Sequence, residues 1–447
     1  MMLLDVHVGP NKVAQLYRER DEYVLKYLPG VPLQDFVSLA LPVREEPWRW
    51  PRDLFPFFRQ NLPEGYLLGV IREEFGSLLD GTDLSLLAVI GGAGIGRVTV
   101  TPEGIAPGVE MAPLEIEQLL KAQNTAEHFA SLVRRYARAA VSGVVPKFIA
   151  NDVGHADLPL GKPTIRTGFH IIKGSDETTP YLGFNEFYTM RVLERLQVTP
   201  VAKCRMSEDG RVLIVDRFDV DEQGRPLYGV EDACGLLGLP PHEKYATTTE
   251  RVWNATRPYI PADRLRAQRE HFGWQILANY VVRNADCHAK NIALFYTSRT
   301  DVTFTPVYDL VTTQAYPRFA ANPPGLPVGG RQTWTPGRTL EVFFNGVLGI
   351  PARQYAAMVE QLCQSAVEVG KEVIEASKNE PAWRDVAKHM VHAWNQGMET
   401  LRSAKTAVHF RGLDEAITEA GFSGPRSAES GRVQIGRSEL LAPRRPK

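Results

Sequence analysis

Cysteine is scarce in this chain: Cys204, Cys234, Cys287 and Cys363 are scattered through 447 residues without a paired spacing, which argues against a disulfide framework and a zinc site. Excess charge is missing too, since 51 Lys and Arg stand against 52 Asp and Glu for a formal net charge of −1. No global attraction to nucleic acid or an anionic membrane follows, so any DNA contact has to be local. No window reaches the 18 or so apolar residues of a membrane span, and residues 1–9 alternate like a strand, without the basic and apolar regions of a signal peptide. The expectation is a reduced, soluble, cytoplasmic protein. With 44% hydrophobic and 23% charged residues, the chain is long enough for two or three packed units.

Chemistry is concentrated in the run Asn284-Ala285-Asp286-Cys287-His288-Ala289-Lys290-Asn291, followed 18 residues after Asn291 by Asp309. Phosphoryl transfer from ATP needs a carboxylate to orient and deprotonate the attacking hydroxyl, plus oxygen ligands, commonly an Asn and an Asp, to hold Mg2+ against the phosphates. Asp286, Asn291 and Asp309 fit those roles as catalytic base and metal ligands. The catalytic Asp of protein kinases likewise precedes its metal-binding Asn by five positions. A helix is predicted over residues 266–282, with Phe272, Ile276, Leu277, Tyr280 and Val281 on one face, leading into the Asp286 loop. Residues 292–296 and 302–305 read as a hairpin ending just before Asp309. Taken singly, Asp286 and Asn291 are also ordinary turn residues, and Asp309 a loop-start carboxylate.

Upstream, Lys173 closes the apolar run 169–172, so a strand carries its ammonium out of the core to where it can pair with phosphates. A solvated strand end would look the same. Glu186 begins an amphipathic stretch and is positioned to orient Lys173, with Asn185 as the natural N-cap; helix-start acids also occur for dipole reasons alone. Residues 142–147 read as a flexible loop before a strand at 148–150, with Gly143 letting backbone amides approach phosphate oxygens. Gly91-Gly92-Ala93-Gly94-Ile95-Gly96 is richer in glycine, but it follows a predicted helix (84–90) and precedes a strand (97–101). A dinucleotide loop needs the reverse order, so this is a connecting turn. His389 and His392 share a helix face without a third ligand nearby and read as surface histidines.

In order along the chain, Ser142-Gly143-Val144-Val145-Pro146-Lys147, His170-Ile171-Ile172-Lys173, Asn185-Glu186-Phe187-Tyr188, Asp216-Arg217-Phe218-Asp219, Glu231-Asp232 through Gly238-Leu239-Pro240 to Lys244-Tyr245, and the two catalytic segments resemble the HipA family, kinase toxins of bacterial toxin and antitoxin pairs. The resemblance extends from the N-terminus to about residue 420. It implies a two-lobed α+β protein-kinase-like fold with a small α+β N-terminal accessory subdomain and a mainly helical C-lobe. Residues 1–110 would be the accessory subdomain, 111–225 the ATP-binding N-lobe, 226–421 the catalytic C-lobe and 422–447 a basic, apolar-poor, disordered tail. Adenine would pack against the hinge Val215, Asp216 and Phe218, with Asp219 reaching the ribose. Ser142, Gly143 and Lys147 would lie over ATP, and His288 would position the catalytic loop.

The resemblance further implies a serine/threonine protein kinase that arrests growth by phosphorylating a translation component such as an aminoacyl-tRNA synthetase. A helix-turn-helix, HipB-like antitoxin would neutralise it, with DNA met only through that partner and no membrane involved. Two departures bear on regulation. Of two loop positions that carry a phosphorylatable Ser in the family, Ala140 fills one and Ser142 remains the candidate autophosphorylation site. Val230 stands where some members have Gln. A small-molecule kinase shares the same Asp, Asn and metal Asp logic, and an ATP-binding pseudokinase acting as a repressor partner is the non-enzyme alternative. Residues 314–338, rich in Pro and Gly, lie where kinases shape the protein-substrate site.

Overall fold

Alternating apolar residues at the N-terminus form the hairpin β1 (Leu3–Val8) and β2 (Asn11–Glu19), continued by β3 (Glu22–Tyr27), β4 (Trp48–Pro51) and, after helix α1 (Asp83–Ile90), β5 (Val98–Pro102). They make an antiparallel sheet of order β4-β3-β2-β1-β5 in which Leu4 faces Leu16 and Val6 faces Ala14. The computed structural model describes residues 2–62, 79–91, 94–107, 115–125, 127–129, 131–132, 164–402 and 412–422, with positions 68 and 72. The glycine-loop segment with Ser142, Gly143 and Lys147 and the basic tail lie outside those residues.

A second antiparallel sheet, β6-β7-β9-β8, follows from the two-residue period of its strands: β6 (Thr164–Arg166), β7 (His170–Gly174), β8 (Cys204–Met206) and β9 (Val212–Asp216). Ile172, Val212 and Ile214 enter one apolar cluster. Their neighbours Ile171, Lys173 and Val215 point the other way, into a cavity, because successive strand side chains alternate faces. Helix α2 (Leu182–Glu194) packs on β9. It starts earlier than the N-cap expected at Asn185, at Tyr181 in a left-handed conformation with φ 54°. The reason is that Asn185 is fully buried and already engaged, donating from Nδ2 to Thr312 O at 3.0 Å and accepting at Oδ1 from Thr312 N at 2.9 Å.

The third sheet, β10-β11-β12, joins Gly229–Asp232 to the hairpin Ala293–Tyr296 and Val302–Phe304. Helix α3 (Leu265–Val281) is buried throughout from His271 to Val281 and forms the axis of the C-terminal region. Against it lie α4 (Ala352–Asn379) and α5 (Arg384–Leu401). Met358, Leu362, Val369 and Val373 of α4 are buried as their spacing requires. His392 accepts a place in this packing through a 2.7 Å contact of Nε2 with Phe422 O. Among the described residues no cluster of three His, Cys, Asp or Glu could hold a metal, and no helix is long and apolar enough to cross a membrane. All four cysteines are free thiols.

One buried group on α3 makes stability depend on pH. His271 stacks on Phe304 with its ring 5.7 Å away and pairs through Nδ1 with the Thr199 hydroxyl, and burial lowers its pKa from 6.5 to about 4. The unfolded chain takes up the proton first as pH falls. The contribution of neutral His271 is therefore complete above about pH 6.5 and is lost between there and about pH 4, amounting to roughly 3 kcal/mol. Urea denaturation from about pH 7 to about pH 4.5 should show this loss in the parent and a flatter profile in His271→Gln.

Candidate active site

Helix α3 ends at Val281, and Arg283 turns the chain back with φ 57°. The loop that follows is held from within. Asn284 donates from Nδ2 to Asn279 Oδ1 (2.7 Å) and to Asp309 O (3.1 Å), and accepts at Oδ1 from Asp286 N (2.9 Å). Asn291 Nδ2 donates to Asp286 O at 2.9 Å, and Gln275 Nε2 to Asn291 O at 3.0 Å. These five hydrogen bonds stiffen the loop. Asp286 and His288 are both nearly inaccessible, with His288 Nε2 3.8 Å from Asp286 Oδ1. Asp286 Oδ1 also accepts from the Tyr245 hydroxyl at 2.6 Å.

Asp309, at the end of the hairpin, has φ 59°, a left-handed conformation that a non-glycine residue adopts only when its surroundings hold it. Its carbonyl is held by Asn284, and its carboxylate contacts the Lys173 ammonium, which also contacts Glu186 Oε1. Glu186 is fully buried and Lys173 nearly so. β7, α2 and the hairpin thus meet at one cation between two carboxylates.

A cavity of about 140 Å³ opens between the second and third sheets, lined by Lys173, Val215, Asp216, Phe218, Asp219, His288, Asn291 and Asp309 among others. Sequence reasoning named all of these, and they converge. Asp286 and Glu186 are not in the lining but touch it, Asp286 through His288 and Asn291 and Glu186 through Lys173. Asp219 is tied up in a way its sequence does not reveal: Arg217 grips it with Nε at 2.9 Å and Nη2 at 2.5 Å, and Gly96 N donates to its Oδ2 at 2.8 Å.

Other residues of the cavity escaped sequence reasoning. Gln60, Asn61 and Ile95 reach it from the N-terminal region. Gln60 bridges β10, donating from Nε2 to Val230 O and accepting at Oε1 from Asp232 N, both at 3.0 Å. The glycine-rich turn does connect α1 to β5 as expected, yet it also walls the cavity. Gly96 has φ 85°, and a Cβ there would come within 2.9 Å of Val230 N, so both conformation and space require glycine. No local pattern in the sequence announces these contacts, which join positions 123 and 170 residues apart.

The N-terminal region is locked to the third sheet at two further points. Glu231 is fully buried, accepting from Ser38 Oγ (2.8 Å), Leu39 N (2.5 Å) and Tyr296 OH (2.6 Å). Burial still pushes its carboxyl above the ordinary range against those three donors. Arg97 packs its guanidinium 4.7 Å from the Phe36 ring centre and donates to Thr297 O at 2.9 Å. Residues 314–338 close over the catalytic loop from the other side. A Cβ on Gly325 would stand 2.3 Å from Cys287 O, so that segment touches the loop backbone to backbone. Arg283 lies 5.1 Å from the Trp334 ring centre of the same segment.

Fold and site define a kinase-like α+β protein, and comparison with known proteins agrees. Residues 4–101 match the HipA N-terminal domain and residues 139–370, just over half of the chain, the HipA-like C-terminal domain. The chain belongs to the HipA family. It is 31% identical over 304 residues to the Sinorhizobium fredii protein named Putative kinase Y4mE, covering 63% of this chain and 69% of that one. A Haemophilus influenzae protein named Putative kinase is 27% identical over 180 residues, 37% of this chain and 51% of the relative. The HipA, HipB and operator DNA complex of Shewanella oneidensis MR-1 contains a chain of the same fold, with TM-score 0.61 and 20% identity over 89% of this chain and 96% of that one.

The buried triad gives a direct expectation. Lys173→Met would leave the Glu186 carboxylate buried without its cation, which costs about 3–5 kcal/mol. Chemical denaturation should show that loss, and the double variant Lys173→Met/Glu186→Gln should recover most of it.

Proposed function

We propose that this protein is an ATP-dependent serine/threonine protein kinase acting as the toxin of a toxin-antitoxin pair. The observation that carries the reading is the convergence of Lys173, Asn291 and Asp309 on one cavity, with Glu186 in contact with Lys173 and Asp286 in contact with His288 and Asn291 of its lining. Residues 1–110 would be the accessory subdomain, 111–225 the nucleotide lobe and 226–421 the catalytic lobe. Adenine would lie against Val215 and Phe218, with hinge backbone reading its edge. Lys173, oriented by Glu186, would exchange its contact with Asp309 for the α and β phosphates. Asp286 orients the acceptor hydroxyl and takes its proton, and His288 and Asn291 hold the loop that carries it.

The donor set suits magnesium. Asn291 and Asp309 offer hard oxygens on one wall, too few to cage an ion by themselves, which is how Mg2+ binds when substrate phosphates and water complete its octahedron. When bound, the ion would neutralise charge on the β and γ phosphates. The Asp309 carboxylate is held on the cavity lining by its contact with Lys173.

A protein acceptor fits the 314–338 segment, whose backbone lies on the catalytic loop at Gly325. The HipB partner in the related complex supports a helix-turn-helix antitoxin for this chain, with DNA reached through it, and membership of the family supports growth arrest through a translation component such as an aminoacyl-tRNA synthetase.

Labelled-ATP transfer in a bacterial lysate, with identification of the acceptor, tests this reading. Asp286→Asn should fold, bind Mg-ATP and lose roughly 10²- to 10⁴-fold in transfer, and its expression should cease to be toxic. Asp309→Ala should weaken Mg-dependent ATP binding by calorimetry. Transfer by folded Asp286→Asn at the parent rate would sink the mechanism. Peptide mass spectrometry after incubation with Mg-ATP should place any loop phosphate on Ser142, absent in Asp286→Asn; phosphate found only outside 140–147 would leave regulation to the antitoxin.

A further inference from the structure

Tyr245 holds a place that the reaction scheme above leaves unexplained. After the one-turn helix Ala233–Leu236 and the 3₁₀ turn Pro241–Glu243, the chain runs along the catalytic loop, where Lys244 O accepts from Ala289 N at 3.1 Å. That bond sets the next residue. The half-buried Tyr245 ring stands edge-on to the His288 imidazole, with centroids 5.0 Å apart and planes at 82°. Its hydroxyl donates to Asp286 Oδ1 at 2.6 Å. Backbone bond, ring contact and hydroxyl bond all fix one orientation.

A general base must lie within about 2.6–3.2 Å of the oxygen whose proton it takes. The Tyr245 hydroxyl already meets that distance. We propose that Tyr245 is a positioning residue whose hydroxyl stands in for the acceptor: it occupies Asp286 Oδ1 until a Ser or Thr hydroxyl displaces it, and so denies that oxygen of the base to water. The proposal rests on the kinase reading. In the reaction it suppresses, a water oxygen would bond to the γ phosphorus, the bond to the ADP oxygen would break, and the water proton would pass to Asp286 and on to solvent. With Oδ1 accepting from the phenol, a water cannot take that place on Oδ1 and be oriented and deprotonated from it. The phenol keeps its proton in donating to Asp286 and is a poor nucleophile in that form.

The test is ADP formation by the full-length protein with Mg-ATP and no added acceptor, beside calorimetry with Mg-ATP and a thermal melt. Tyr245→Phe keeps the ring and removes the hydroxyl. It should raise kcat for ADP formation several-fold with KM for ATP unchanged, and Tyr245→Phe/Asp286→Asn should cancel the gain, because the gain runs through the carboxylate. A purely structural role would instead lower the melt and kcat together. If the Phe variant does not fold, Tyr245→Leu carries the same expectation. ADP formation that is equal to or below the parent's in a folded variant that binds Mg-ATP overturns the proposal alone. So does phosphate on Tyr245 of the parent, which would make it an acceptor. Failure of the parent to bind Mg-ATP overturns the kinase reading and this proposal with it.

Discussion

Everything at the candidate site depends on one buried cation. Lys173 comes from a strand, Glu186 from a helix and Asp309 from the end of a hairpin, and they meet where water is largely excluded. An unpaired charge there would cost several kcal/mol, so β7, α2 and the hairpin cannot separate independently. The strained backbone at Asp309 is affordable only in that setting, with Asn284 gripping its carbonyl. Asn185 then ties the following segment to α2 through Thr312. A few amide side chains therefore transmit the position of one ammonium to the whole catalytic loop.

The N-terminal region is joined to this frame and is more than an appendage. Glu231 and Arg97 are buried polar groups that each take part of their hydrogen bonding across the boundary, and removing such partners leaves unsatisfied polar groups, which is costly. Through Gly96 the same region reaches Asp219, and through Gln60 it reaches both peptide groups flanking Glu231. Cavity shape is thus set by two sheets and a turn that are far apart in sequence. Val230 sits beside Gln60 at this same seam.

How much was legible varies with the distance over which a signal acts. Helix α3 and the following hairpin came within a residue of expectation because apolar periodicity is a local property. The Asp286, Asn291 and Asp309 spacing was informative because the loop and hairpin hold them over short separations. Asn185 was misread as a cap because its residue type favours caps, whereas its amide is used within the helix against a partner 127 residues away. Asp219 was read for its reach toward a sugar, and the structure commits its oxygens to Arg217 and Gly96. Tyr245 was visible only as part of a motif.

By itself, then, the sequence determined the order of elements, the strand faces and the identity of the chemically competent side chains, because periodicity and short-range spacing survive in one dimension. Tertiary structure alone decided which of those side chains share a charge, what walls the cavity and which hydroxyl rests on Asp286. Those outcomes depend on desolvation and on contacts between segments more than a hundred residues apart, and burial is a property that no local stretch of sequence carries.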